Sequence, residues 1–167
     1  MVIDTGLPLG QFTDVVSSFG PLIDYVKFGW GTSVVTPGIE SKMAAARAHG
    51  VDFYLGGTLF EKYLLQNRFD EFRGVCREYG ATTIEVSNGT APLSHEEKSA
   101  YVEKLAGEFR VVAEVGFKDN VQSENFPPKR WVEAIRRDLE AGAYLVTLET
   151  RESGKGGICR PNGELRY

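Results

Sequence analysis

The sequence predicts an α/β fold, a TIM (β/α)8-type barrel with about six of the eight βα units present, in one domain over residues 1–167. Three observations predict it. Glycines recur at Gly20, Gly50, Gly80, Gly107 and Gly142, separated by 30, 30, 27 and 35 residues, about the length of a strand, a loop and a helix. Each is followed by a short run rich in Val, Ile, Tyr and Phe that does not alternate cleanly, as expected of parallel strands covered on both faces. The loop after the first such run, Gly6-Leu7-Pro8-Leu9-Gly10, carries neither a G-x-G-x-x-G pattern nor a Lys-Ser/Thr pair. A doubly wound nucleotide binder would normally show one of them, so the barrel is the better reading.

The elements follow in order. Val2–Asp4 is the first strand, and Ile23–Phe28, Asp52–Leu55, Thr82–Val86, Val111–Val115 and Tyr144–Leu148 are the next five. Each repeating glycine marks a helix stop, because the residue past a helix end often needs positive φ. Ser94-His95-Glu96-Glu97 opens a helix as a capping box. Pro127-Pro128 ends whatever precedes the last helix, in which Trp131, Val132, Ala134, Ile135 and Leu139 form an apolar face and Arg136, Arg137, Asp138 and Glu140 lie elsewhere. At roughly 28 residues per unit the length supplies about six units, so the expectation is a partial barrel with exposed strand edges, and hence a homo-oligomer.

Composition narrows the function classes. The 167 residues are 42% hydrophobic and 25% charged, with 19 Lys and Arg against 23 Asp and Glu, a net charge of −4. No apolar run approaches the ~20 residues of a membrane span, and an acidic chain lacks the extended basic surface of a nucleic-acid binder. The start Met1-Val2-Ile3-Asp4 has no secretory pattern, and Cys76 and Cys159 form neither a disulfide framework nor a metal knuckle. A cytoplasmic protein with neither nucleic-acid nor membrane partners is expected.

In a barrel the chemistry sits at the C-terminal strand ends, and these ends hold a distinctive polar set. Asp4, Glu85, Glu114 and Glu149 recur there, with Lys27, Lys118, Arg151 and Lys155 as local cations. Carboxylates facing a common centre repel one another unless cations or a divalent metal intervene, and oxygen ligands of this kind suit Mg²⁺. Arg and Lys hold oxyanions, and glycine amides allow close backbone approach, so the set describes a pocket for a small, highly anionic substrate. Lys27, within a strand between Val26 and Phe28, suits either a Schiff-base lysine or a salt-bridged one. Trp30 is read as packing more than as a stacking platform, and His49 and His95 as residues without a catalytic role. Cys76 is read as helix core, and nothing in the pattern makes Cys159 a nucleophile.

Five strand-end motifs, in one order and at matching spacing, carry a resemblance: Lys27-Phe28-Gly29-Trp30-Gly31-Thr32, Gly56-Gly57-Thr58-Leu59-Phe60-Glu61, Glu85-Val86-Ser87-Asn88-Gly89, Glu114-Val115-Gly116-Phe117-Lys118 and Arg151-Glu152-Ser153-Gly154-Lys155-Gly156. Together they resemble the phosphosulfolactate synthase family. The resemblance implies a TIM barrel and an Mg²⁺-dependent carbon–sulfur lyase that adds sulfite to phosphoenolpyruvate, giving phosphosulfolactate in coenzyme M biosynthesis. Lys118 matches the lysine of the family's E-V-G-x-K motif and is the candidate general acid, while charge and position make Lys27 and Arg151 catalytic anion holders and Glu85, Glu114 and Glu149 metal ligands or their neighbours. Gly57, Thr58, Ser87, Asn88, Ser153 and Gly154 are the implied substrate-binding positions. The alternative reading is a non-catalytic, truncated or repurposed barrel relative acting as an interaction or stress-related protein.

Overall fold

The computed structural model describes residues 1–150 and 153–166, and the fold is α/β with parallel strands alternating with helices. Strands are β1 (Val2–Asp4), β2 (Tyr25–Phe28), β3 (Asp52–Leu55), β4 (Thr83–Val86), β5 (Arg110–Val115) and β6 (Leu145–Leu148). Helices are α1 (Leu9–Phe19), α2 (Thr32–Val35), α3 (Ile39–Ala48), α4 (Gly57–Leu65), α5 (Phe69–Glu78), α6 (His95–Ala106), α7 (Asn120–Glu124) and α8 (Pro128–Glu140). This order is the βα repeat that a TIM barrel uses eight times. The chain divides into two compact units, Met1–Ile84 and Glu85–Tyr167.

In the first unit β1, β2 and β3 form a parallel sheet, with Val2 opposite Val26 and Tyr25 opposite Asp52. The apolar residues of the strands drive its core. Phe28 is buried, stacked on Phe12 of α1 at 6.1 Å and edge-on to Phe53 at 5.7 Å. Phe60 of α4 meets Phe72 of α5 edge-on at 5.5 Å, and both are fully buried. Burying one such ring stabilises the fold by about 1.5–3 kcal/mol relative to leaving it in water.

A second sheet has the order β4-β5-β6, and in the second unit β5 and β6 are parallel with Glu114 opposite Thr147. Val115, Phe126, Trp131 and Ala134 form its core cluster, and Phe117, Ile135, Val146 and Ile158 pack against it. Ser94 caps α6 as expected: its hydroxyl accepts from the Glu97 N–H, while the Glu97 carboxylate accepts from the Ser94 N–H. Pro127 and Pro128 stand at the N-cap and first turn of α8, where a missing N–H costs nothing.

The strands follow the sequence expectation to within two residues at each end, but the helix stops need correction. Gly50, Gly80 and Gly142 adopt positive φ past helix ends, whereas Gly20 and Gly107 do not. Gly20 is small for another reason, since a Cβ there would lie 3.2 Å from the His49 carbonyl oxygen. Nothing in the structure explains Gly107. The buried face of α8 also differs: Trp131, Ala134 and Asp138 are buried, while Val132 and Leu139 are exposed.

Candidate functional site

In the second unit Glu114 and Lys118, at and just past the end of β5, lie beside Gly89 in the loop after β4. A Cβ added to Gly89 would lie 3.9 Å from Lys118 Cε, 4.0 Å from Glu114 Oε1 and 3.7 Å from the Gly116 carbonyl oxygen. Lys118 is half-buried, and Glu85, Glu114, Glu149, Ser87 and Asn88 are buried. Glu114 pairs with Thr147, so Glu149, two residues further along, shares its face of the strand pair. Gly116 has φ +123°, and a Cβ there would sit 2.9 Å from Glu149 Cβ and closer still to the tip of the Trp131 ring. The backbone therefore passes between Trp131 and Glu149 only because that position has no side chain.

A cavity of about 500 Å³ opens beside this group, lined by Asn88, Gly89, Thr90, Ser94, Phe117 and Gln122, with others. Asn88 donates from Nδ2 to the Leu93 carbonyl at 2.9 Å, which ties the loop after β4 together. Its Oδ1 is buried without a hydrogen-bond partner in the structure. A buried acceptor of this kind costs free energy until a donor reaches it, and Asn88 also lines the cavity.

His95, at the start of α6, packs among aromatic rings. It is half-buried, stacked on Phe126 at 5.1 Å and edge-on to Phe117 at 5.9 Å, with both ring nitrogens buried and lacking hydrogen-bond partners. Burial, reinforced by the nearby Lys98 charge and only partly opposed by Asp138, holds its pKa below the ordinary imidazole value.

In the first unit, Lys27 is half-buried at the end of β2, and its Cε lies 3.3 Å from where a Gly56 Cβ would be. Gly56 is the N-cap of α4, so Lys27 stands beside the N-terminus that Gly57 and Thr58 open. Backbone N–H groups at a helix start favour anions, and an ammonium adds to that preference. Trp30, between Gly29 and Gly31, is exposed and has φ 47°, an uncommon conformation for a side-chain-bearing residue.

Asp4 belongs to a different arrangement from the carboxylate ring expected of it. It accepts from the N–H groups of Gly6 and Leu7 at 3.0 and 2.8 Å and pairs with the buried Lys42 ammonium at 2.6 Å. Its carboxylate holds the loop after β1 in shape. Ser153 is exposed, and Gly154 has φ +67° with open space where its Cβ would be. Arg151 lies outside the described residues.

Mg²⁺ takes hard oxygen donors, and the carboxylates at these strand ends are of that type. Among the described residues no three His, Cys, Asp or Glu side chains group as a metal cage. Mg²⁺ is commonly held by one or two carboxylates with the substrate completing its shell, and Glu114, with Oε1 beside Gly89, supplies the hard oxygen such a shell needs.

Two buried charges lie next to Glu114: Lys98, which the sequence reading does not single out, and Asp138, which it places off the apolar face of α8. Lys98 of α6 is fully buried, pairs with Asp138 of α8 at 2.6 Å and donates to the Glu114 carbonyl at 2.9 Å. The signal was present: Lys98 falls on the same helical stripe as Val102 and Leu105, and Asp138 on that of Trp131 and Ala134. Opposite charges on two apolar stripes imply a buried pair.

The family model described as (2R)-phospho-3-sulfolactate synthase (ComA) matches residues 1–167. The chain is 44% identical over 167 residues to a phosphosulfolactate synthase of Bacillus subtilis (strain 168), covering 100% of this chain and 66% of the relative. It is 36% identical over 170 residues to phosphosulfolactate synthases of Methanothermobacter thermautotrophicus and Methanocaldococcus jannaschii, covering 99% of this chain in each case and 66% and 68% of the relatives. The chain thus spans about two thirds of the length of the curated relatives it matches. Among the described residues no helix is long and apolar enough to cross a membrane.

Proposed function

We infer the function from one premise: the chain belongs to the (2R)-phospho-3-sulfolactate synthase (ComA) family. Its proposed activity is the addition of sulfite to phosphoenolpyruvate, a carbon–sulfur lyase reaction run in the synthetic direction, with Mg²⁺ as cofactor. The observation that carries this reading is the placement of Glu114 Oε1 and Lys118 Cε within 4.0 Å of one point over Gly89. A cationic donor and a carboxylate face the same small space, where the absence of a side chain lets a ligand approach the backbone.

Both substrates are anions, so the site must offset charge before any bond forms. When the sulfite sulfur attacks the terminal carbon, the π electron pair moves onto the carboxylate, and a proton must then reach the adjacent carbon. Lys118, as an ammonium, donates that proton in this reading. Glu114, with Glu85 as a further buried carboxylate, would hold Mg²⁺, which when bound offsets the negative charge growing on the substrate carboxylate. Ser87 and the Asn88 amide orient the substrate from the end of β4. Lys27, beside the α4 N-terminus with Gly57 and Thr58, is an anion-holding group of the first unit.

The test is incubation with phosphoenolpyruvate, sulfite and Mg²⁺ while the enol absorbance is followed. Sulfite-dependent loss of absorbance is expected, and Lys118→Ala should lower kcat by about 10²-fold or more, the usual contribution of a positioned acid. No loss at high protein concentration would overturn the reading in favour of a non-catalytic relative, and undiminished turnover by the variant would remove Lys118 as the acid.

A further inference from the structure

The buried pair formed by Lys98 and Asp138 has a geometry that reaches the candidate site from below. At the end of β5 the Val115 carbonyl accepts from the Glu149 N–H at 2.9 Å, toward β6. Successive carbonyls of a strand face opposite ways, so that of Glu114 turns to the other side. There the Lys98 ammonium donates to it at 2.9 Å. Asp138 holds that ammonium at 2.6 Å, and the Ser99 hydroxyl holds the other Asp138 oxygen at 2.9 Å. Lys98 and Asp138 are both fully buried.

We propose that Lys98 is a positioning residue whose ammonium, fixed by Asp138, sets the orientation of the Glu114 peptide and thereby of the turn carrying Gly116 and Lys118. The inference rests on the reading that Glu114 and Lys118 serve the addition reaction. An ammonium suits the task because it is a compact donor with three protons, able to serve a carboxylate and a carbonyl at once. An apolar pair of similar volume at these positions would often fold as well or better, since desolvating two charges is expensive. Stability alone therefore does not account for a buried charged pair here, and its contact with the Glu114 carbonyl gives it a different use. Gly116 amplifies the effect: its backbone threads between Trp131 and Glu149, so a rotation of the preceding peptide has little room and passes on to Lys118.

The experiment compares the unsubstituted chain with a Lys98→Met/Asp138→Leu double variant by thermal melting, amide hydrogen exchange and steady-state kinetics. The double variant is expected to fold with its Tm lowered by about 2–12 °C, the cost of leaving the Glu114 carbonyl without the Lys98 donor, while exchange at residues 115–118 speeds at least about ten-fold. Its kcat should fall at least about ten-fold with KM changed by less than about three-fold, as expected when a reacting group is displaced but the substrate still binds. Parental exchange at 115–118 in a folded double variant would overturn the proposal. Should the double variant not fold, Ser99→Ala loosens Asp138 without touching Lys98, and it should raise exchange at 115–118 by roughly two- to five-fold; an unchanged profile overturns the proposal. If the unsubstituted chain shows no sulfite addition, the functional reading fails, and the exchange measurement still decides the positioning role.

Discussion

Replacing Gly116 with Ala tests how tightly the end of β5 is built. The new Cβ would stand 2.9 Å from both Trp131 Cζ3 and Glu149 Cβ, and nearer still to Trp131 Cη2. None of these atoms ends a flexible chain: Trp131 is buried, its Nε1 donates to the Phe126 carbonyl at 3.0 Å, and Glu149 Cβ is fixed to its own backbone. Overpacking of this kind costs about 1–3 kcal/mol. The φ of +123° adds strain of order 1–3 kcal/mol for any residue with a Cβ. The sum, about 2–6 kcal/mol, lowers Tm by roughly 4–24 °C for a chain of this length. Thermal melting followed by circular dichroism reads the shift directly. A cycle with Trp131→Leu separates the two causes, because shortening the ring relieves overpacking and leaves backbone strain. Gly116→Ala should then cost about 1–3 kcal/mol less than in the parent. A loss below about 1 kcal/mol, or equal losses in the two backgrounds, would refute the reasoning.

Two further outcomes follow from buried charge. His95 has its pKa lowered by burial and by Lys98, so the folded state prefers the neutral ring while the unfolded chain takes up a proton first as the pH falls. The stability it contributes is full above the ordinary imidazole value of about 6.5 and is lost as the pH falls from there through the folded value. Melts at pH 7.5 and 5.5 should therefore differ less for His95→Phe than for the parent, and equal gaps would contradict this. Lys42→Met should cost about 3–5 kcal/mol in urea unfolding, because it strands the buried Asp4 carboxylate; a loss under 1 kcal/mol would show that the two backbone donors of Gly6 and Leu7 suffice.

The strands were legible because each is a local run of β-branched and aromatic residues, and local composition alone nearly places Tyr25–Phe28 or Arg110–Val115. The capping box at Ser94 was equally plain, since both partners lie within one turn. The uses of Asp4 and Asp138 were not, because each is decided by a lysine 38 or 40 residues away in sequence, and only tertiary packing selects it. The site was legible as a set of residue types at strand ends. The convergence of Glu114 and Lys118 on Gly89 depends on the turn at Gly116, whose need for a bare backbone comes from Trp131 on a later helix. The aromatic setting of His95 is illegible for the same reason: its partners, Phe117 and Phe126, come from other segments.

Lys42 and Lys98 place one shielded amine in each compact unit, at 1% and 0% exposure. Neither can meet an amine-acylating reagent unless the helix that carries it leaves its sheet. Timed acylation read by mass spectrometry would therefore report the opening of each half of the chain separately, in one tube and without any engineered label. The same two residues that settle charge in the folded state serve as built-in clocks for how often each half comes apart.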